Sequence, residues 1–228
     1  MVIGGFQKVS LIDYPGKIAA IIFTRGCNFR CPYCHNPELV NPAQFTESLD
    51  NQKIIRFLAT RIARLQGIVV TGGEPTIHQD LPGFLEELKG FGYSIKLDTN
   101  GSDPTMLKTL FDGNLVDYCA MDVKAALSSY PKNTRVAVDP RRITDSIEII
   151  KSSCIAHEFR TTYVDSLLSK DDMLAIGEMV NGSPFFIQKF RSTKTLDGEY
   201  LGMPESAEDK LRYIRASLME EGISCDIR

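Results

Sequence analysis

No apolar run in this 228-residue chain approaches the roughly 20 residues that a helix needs to cross a bilayer, which excludes a helical membrane span. Nor is there an excess of basic charge. The 26 Lys and Arg stand against 29 Asp and Glu, and a net charge of −3 leaves no electrostatic footprint for nucleic acid. The start, Met1-Val-Ile-Gly-Gly-Phe-Gln-Lys8, lacks the basic-then-apolar pattern of an export signal, so the expected compartment is the cytoplasm. No internal repeat, low-complexity tract or linker interrupts the chain, and a single domain over residues 1–228 is expected, long enough to bury a substantial core. Cysteine is scarce, six in all; in a reducing cytoplasm such thiols bind metal rather than pair as disulfides.

Three of the six are not scattered. Cys27, Cys31 and Cys34 stand at C-x3-C-x2-C spacing, directly after the apolar run Ile18–Thr24. Three thiolates on one short loop can hold three corners of a cubic iron–sulfur cluster, leaving the fourth iron open to a substrate. Clusters with four cysteine ligands mostly carry electrons; an open iron can do chemistry. Other readings compete. Cys31-Pro-Tyr-Cys34 alone matches a redox pair, and with His35 it matches the haem-attachment signature C-x-x-C-H. A redox pair usually opens a helix, which Pro37 and Pro42 disfavour here, and haem attachment needs an exported protein. A zinc site of Cys27, Cys31, Cys34 and His35 is awkward, because Cys34 and His35 are adjacent and point apart. The isolated Cys119, Cys154 and Cys225 are expected as small core residues.

Short apolar runs alternate with helical patterns. Strands are predicted at Ile18–Thr24, Ile68–Thr71, Tyr93–Asp98, Val116–Val123, His157–Tyr163 and Phe185–Phe190. Helices are predicted within residues 48–66 (Ile54, Leu58, Ile62 and Leu65 at helical spacing), and around Leu85, Leu107, Ile147, Ile176 and Ile214. The polar stretch Ser128–Asp139 reads as a surface loop. Strand–helix alternation implies a parallel sheet under helical cover, and six units fit an α/β fold, a partial (βα)6 barrel open on one side. Ligands of such folds gather at the C-terminal ends of the strands. The cysteine loop, Thr71-Gly-Gly-Glu-Pro75, Asp98-Thr-Asn-Gly101, Asp122-Val-Lys124 and Arg160-Thr-Thr162 all fall there.

Each of these segments also has a bland reading. Gly72-Gly73-Glu74-Pro75 lets backbone approach a ligand and offers Glu74 to an ammonium group, yet alone it is an ordinary turn. Asp98–Gly101 fits an Asx turn. Asp122 and Lys124 point to one face of their strand, which a surface ion pair would also explain. Tyr33 could stack on a base or simply shield a cluster. His78 and His157 are lone histidines with structural roles expected.

Taken together, Arg25–Asn36 resembles the cluster loop of radical S-adenosylmethionine (SAM) enzymes, and the Cys34-His35-Asn36 ending and Ser10-Leu-Ile-Asp-Tyr-Pro-Gly16 resemble the activating enzymes of glycyl-radical proteins. That resemblance covers nearly the whole chain. It implies a 4Fe–4S cluster on Cys27, Cys31 and Cys34, with SAM on the open iron. It implies SAM contacts from Gly72, Gly73, Glu74, Asp98, Asn100, Asp122 and Lys124, with Tyr33 beneath the adenine and Arg160 at the carboxylate. A monovalent cation at Asp98, Thr99, Ala120 and Asp122 is implied as well, and Gln188 enters the site on resemblance alone. One-electron reduction of the cluster would split SAM into methionine and a 5′-deoxyadenosyl radical, which takes hydrogen from a partner's glycine. No side chain need act as acid, base or nucleophile. The implied partner is a glycyl-radical enzyme, in particular an anaerobic ribonucleoside-triphosphate reductase, with flavodoxin or ferredoxin as electron donor. Two rivals remain: a radical SAM enzyme acting on a small molecule, as in 7-carboxy-7-deazaguanine synthase, and a non-catalytic zinc-stabilised binding module.

Overall fold

A computed structural model describes residues 1–228. Eight strands form one sheet in chain order: β1 (Ile3–Ser10), β2 (Ala19–Thr24), β3 (Gly67–Gly72), β4 (Ser94–Thr99), β5 (Tyr118–Asp122), β6 (Ala156–Tyr163), β7 (Phe185–Lys189) and β8 (Asp226–Ile227). β1 runs antiparallel to β2; β2 through β8 are parallel neighbours. β1 and β8 do not pair, so the sheet has two edges. Parallel strands in sequential order, joined by crossovers of one hand, place every helix on one face and roll the sheet toward a barrel. The six units from β2 to β7 are the predicted (βα)6 set; β1 and β8 are additions at its flanks.

Helices α1 (Pro37–Val40), α2 (Asn51–Ala59), α3 (Leu81–Gly90), α4 (Pro104–Asp112), α5 (Tyr130–Thr134), α6 (Pro140–Ser152), α7 (Lys170–Val180) and α8 (Glu208–Glu220) follow the strands. Their starts are written locally. Asp50, Asp103 and Asp139 each accept hydrogen bonds from first-turn amides, and Pro104 and Pro140 occupy the position where no amide hydrogen is needed. Ser169 and Asp172 close a reciprocal capping box on α7.

The two faces of the sheet differ. The helix-side face carries Ile22, Val70, Leu97, Met121, Phe159 and Ile187 into the main core. The inner face begins with a small apolar plug of Tyr14, Ala19, Ile21 and Val69, against which Tyr118 packs. From β4 to β6 the same face turns polar, with Lys96, Asp98, Glu158 and Arg160 alternating along the strands.

Three expectations are corrected. The helix read over residues 48–66 stops at Ala59, and Ile62 is exposed, because the chain closes in two tight turns at Arg61 and Leu65 before β3. Residues 128–139 are only in part a surface loop: α5 buries Tyr130, Asn133 and Thr134 with Pro131 in its first turn, and residues 135–139 are the loop that remains. Cys154 is exposed in the turn after α6, whereas Cys119 and Cys225 are buried as expected.

Candidate functional site

Three thiols and the ends of five strands, β3 to β7, share one cavity. It measures about 190 Å³ and opens to solvent at those C-terminal ends, with Cys27, Cys31 and Cys34, on the loop after β2, forming one wall. The cysteine loop leaves β2 and turns at Gly26, whose φ of 101° only glycine adopts without strain. The Phe29 amide donates to Cys27 Sγ at 3.3 Å, and the Cys34 amide to the Cys31 carbonyl at 3.1 Å. No helix opens at Cys31; α1 begins at Pro37. Burial, then the Glu74 carboxylate, pushes Cys27 up to about 12, and burial carries Cys31 to about 11. Such thiols are poor redox nucleophiles, and become thiolates when metal charge displaces their protons.

His35 is not placed as a fourth ligand. Its Nε2–H donates to the Arg191 carbonyl at 2.8 Å, and its ring stacks on Phe190 with centroids 5.9 Å apart. No three His, Cys, Asp or Glu side chains come close enough to hold a single metal ion. The zinc reading therefore has no geometry behind it. The segment after β7 also bonds the loop through the Asp197 amide to the Pro32 carbonyl at 2.9 Å, and Lys194 pairs with Glu38 at 2.7 Å. From below, the Arg30 amide donates to the Thr134 carbonyl at 2.8 Å, and Tyr130 packs edge-on against Phe29. Sequence reasoning missed both braces.

The facing wall is the end of β3. Gly72 (φ 109°) and Gly73 press backbone to backbone on the cysteine loop, with Gly73 N–H donating to Thr24 O and Glu74 N–H to Gly26 O, both at 2.8 Å. A Cβ on Gly73 would lie 2.7 Å from the Gly26 carbonyl carbon and closer still to its oxygen. The close approach read from these glycines is thus made first to the cysteine loop itself. Glu74 is 1% exposed. Its Oε1 accepts from Thr76 N–H (3.1 Å), Thr76 Oγ1 (2.6 Å) and Thr99 Oγ1 (2.7 Å), and its Oε2 from Asn100 N–H (2.7 Å). That carboxylate ties β3 to β4 rather than standing free for an ammonium group.

Asp98, Asp122 and Lys124 line the floor. Asp122 lies 3.0 Å from Lys124 Nζ and accepts from Arg160 Nε at 2.9 Å. Burial raises its pKa, but the two cations outweigh burial and hold it down at about 2. It therefore stays ionised at every physiological pH. Arg160 does not line the cavity; it bridges Asp122 and Asp98 from behind, the latter at 3.5 Å. Asn100 turns its amide to Asn28 Oδ1 (3.0 Å) and Cys27 Sγ (3.9 Å), and Asn28 in turn donates to Ser102. The expected cation site is not assembled. Thr99 donates to Glu74, Ala120 lies fully buried in β5 outside the lining, and both carboxylates already face Lys96, Arg160 or Lys124. Tyr33 and Gln188 both line the cavity, and the buried Tyr33 hydroxyl has no partner.

A parallel half-barrel with a three-cysteine loop beside polar strand ends defines a class of protein: an enzyme that works through an iron–sulfur cluster next to a small-molecule cofactor. The match to the radical SAM superfamily over residues 21–167 makes this specific, and the chain belongs to that superfamily. Its members use a 4Fe–4S cluster and SAM, so this is a radical SAM enzyme. A Methanocaldococcus jannaschii protein whose name assigns it as a glycyl-radical enzyme activating enzyme is 31% identical over 218 residues, covering 93% of this chain and 89% of its own. The pyruvate formate-lyase-activating enzyme of Staphylococcus epidermidis is 26% identical over 89% of this chain and 86% of its own. The 7-carboxy-7-deazaguanine synthase of Aquifex aeolicus is 30% identical over 60% of this chain and 62% of its own. Among solved structures, Streptococcus suis SuiB bound to SAM matches 91% of this chain with a TM-score of 0.64 at 12% identity; the chain spans 51% of SuiB.

The residues present fit these groups. Three thiols converge on one cavity wall, and one buried polar atom of a lining residue, the Tyr33 hydroxyl, lacks a hydrogen-bond partner.

Proposed function

We propose that this enzyme activates a glycyl-radical enzyme, and that its partner is an anaerobic ribonucleoside-triphosphate reductase. One observation carries the reading: the cysteine loop, Gly72-Gly73, the carboxylates of Asp98 and Asp122, and Lys124 all face a single solvent-open cavity. Bound there, the 4Fe–4S cluster and SAM would supply a 5′-deoxyadenosyl radical able to take hydrogen from a glycine Cα. Cys27, Cys31 and Cys34 would ligate the cluster. Lys124 would receive the methionine carboxylate, the Gly72-Gly73 backbone the amino group, Asp98 and Asp122 the ribose, and the Tyr33 ring the adenine. Glycine suits such a site, because its Cα radical is stabilised by both flanking amides and no side chain blocks approach. The compartment would be the cytoplasm, and the reductant a flavodoxin or ferredoxin. Likeness to the M. jannaschii protein over 93% of the chain supports the activase; likeness to the deazaguanine synthase supports a small-molecule substrate over a shorter span.

Lys124→Ala and Asp122→Ala are expected to weaken SAM binding tenfold or more, since one charged hydrogen bond is worth about 1.5–3 kcal/mol. Calorimetric titration of cluster-loaded protein checks this, and unchanged affinity would return both residues to the role of a structural ion pair.

The partner is tested by mixing reduced enzyme, SAM and an anaerobic ribonucleotide reductase large subunit from the same source. Electron paramagnetic resonance should show a glycyl doublet on the partner, absent when its C-terminal glycine is replaced by alanine. Robust SAM cleavage with no doublet on any glycyl-radical enzyme of the source would move the assignment to a small-molecule substrate.

A further inference from the structure

The segment Ser10-Leu-Ile-Asp-Tyr-Pro-Gly16 lines no part of the cavity. It joins β1 to β2 at the N-terminal ends of the parallel strands, at the opposite end of the barrel from the mouth. Two adjacent aliphatic side chains stand out from it, Leu11 at 72% and Ile12 at 89% exposure, the highest values among the large apolar residues. Val9, Ile18 and Ile62 are exposed at the same end, and Ile18 is hydrogen-bonded to Gln66 just beyond the Ile62 turn. Five of the twelve exposed large apolar residues thus share one end of the molecule. Scattered singly they would need no explanation; gathered, they mark a contact surface.

The loop cannot turn these side chains inward. Ser10 Oγ accepts from the Ile12 and Asp13 amides, both at 3.3 Å, and donates to the Asp13 carboxylate. The Asp13 carbonyl accepts from the buried Lys96 Nζ at 2.7 Å, and the buried Tyr14 already fills the space beneath as part of the apolar plug. Exposure is built into this loop rather than left by loose packing.

The charge around the tip has one sign. Lys8 and Arg61 lie over the Phe57 ring, 5.5 and 4.8 Å from its centroid, and Lys17 lies over Tyr14 at 5.7 Å. Arg64 is exposed, and residues 51–73 contain no Asp or Glu. Of the carboxylates at this end, Asp13 is tied to Ser10 and Asp117 to Lys89 at 2.8 Å. Four cations therefore ring five aliphatic side chains, on a chain whose net charge is −3.

That ring decides the occupant. A second copy docked through the same face would set cation against cation. A protein pocket fits poorly, because the aliphatic side chains project rather than line a hollow, and neither main cavity includes them. Protein interfaces also draw their strongest anchors from Trp, Tyr and Arg rather than from Leu and Val. An anionic bilayer offers phosphates to the ring and an apolar layer to the tip.

We propose that this end of the barrel docks on an anionic membrane surface, with Leu11 and Ile12 entering the boundary between headgroups and acyl chains. The mouth then points away from the lipid, so docking leaves it open to a soluble partner. The assignment does not depend on which substrate the cavity serves.

The chain has no tryptophan, so Leu11→Trp makes a single-tryptophan protein. Its emission should shift to the blue with vesicles of phosphatidylcholine and phosphatidylglycerol, and not with phosphatidylcholine alone. Leu201→Trp, at another exposed position, should not shift with either. In flotation, cluster-loaded wild-type protein should rise with the anionic vesicles and be released by high salt. Serine at both Leu11 and Ile12 should weaken binding about tenfold or more, and Lys8→Gln or Arg64→Gln about fivefold each. Iron content, melting temperature and SAM cleavage should stay unchanged in all of these. Absence of flotation with anionic vesicles, equal binding to both kinds, or full binding by the serine variant would overturn the assignment. If vesicles are ignored and the serine variant instead needs more partner protein for glycyl-radical formation, the face docks a protein and the membrane assignment falls.

Discussion

Alanine at any one of Cys27, Cys31 or Cys34 is expected to abolish the visible absorption of the cluster and the cleavage of SAM together. The reason is geometric. The three thiols share one cavity wall, and no nearby histidine or carboxylate can replace a lost ligand, since His35 is committed to the Arg191 carbonyl and Glu74 to three donor residues. A two-thiolate loop should not retain a cubane. Cys119, Cys154 and Cys225 are the controls. Cys119 is fully buried, so its alanine variant should lose about 1 kcal/mol of stability and keep its cluster. Cys154 is exposed, and its replacement should change stability by less than ~0.5 kcal/mol. Absorption spectra, iron and sulfide content, and chromatographic detection of 5′-deoxyadenosine read the outcome. Full cluster occupancy in Cys31→Ala protein would sink the ligand assignment.

Gly73→Ala should be nearly as damaging, although the substitution adds one methyl group. That methyl would meet the Gly26 carbonyl, and the surrounding atoms are backbone with nowhere to move. To admit it, the end of β3 must part from the cysteine loop, breaking the hydrogen bonds from Gly73 to Thr24 and from Glu74 to Gly26. Overpacking of this kind costs about 3 kcal/mol, and here the displaced element carries Cys27. The variant should therefore melt lower and load less iron than wild type. Gly83→Ala is the matched control, because a Cβ at that position in α3 meets nothing within 4 Å. It should leave the cluster intact and stabilise the helix by ~0.5 kcal/mol. If Gly73→Ala loads iron and melts as wild type does, the wall between strand and loop is softer than its contacts imply.

The parallel core was legible because buried strands read as short apolar runs, as in Ile18–Thr24 and Phe185–Phe190, and helices as apolar residues at helical spacing. β1 was not. As an edge strand with Gly4-Gly5 and Gln7-Lys8 it has neither an apolar run nor clean alternation. α5 was hidden by composition, since Asn133 and Thr134 look like loop residues and are buried only because their side chains bond back to Ser129 and Tyr130. In the site, spacing disclosed the cysteines, and strand ends disclosed Asp98, Asp122 and Lys124. The direction of Arg160 and the burial of Lys96 and Glu158 could not be read, because a charged residue in a strand is by default a surface residue. The His35 contact joins positions 156 residues apart, beyond any local pattern.

That last contact has a consequence for the order in which the enzyme is completed. The proposed ligands all lie within the first 34 residues, and a loop so local can form early. Besides its contacts with the end of β3 and with α5, it takes fasteners from the far end of the chain: Phe190, Arg191, Lys194 and Asp197 reach it only once β7 is in place. A chain interrupted before β7 would own every thiol and still hold them on a loop braced on one side only, by β3 and α5. Retention of iron is therefore a measure of whether β7 and the segment after it have folded, and a variant damaged near residue 190 should announce itself as a metal-poor protein before it registers as an unstable one.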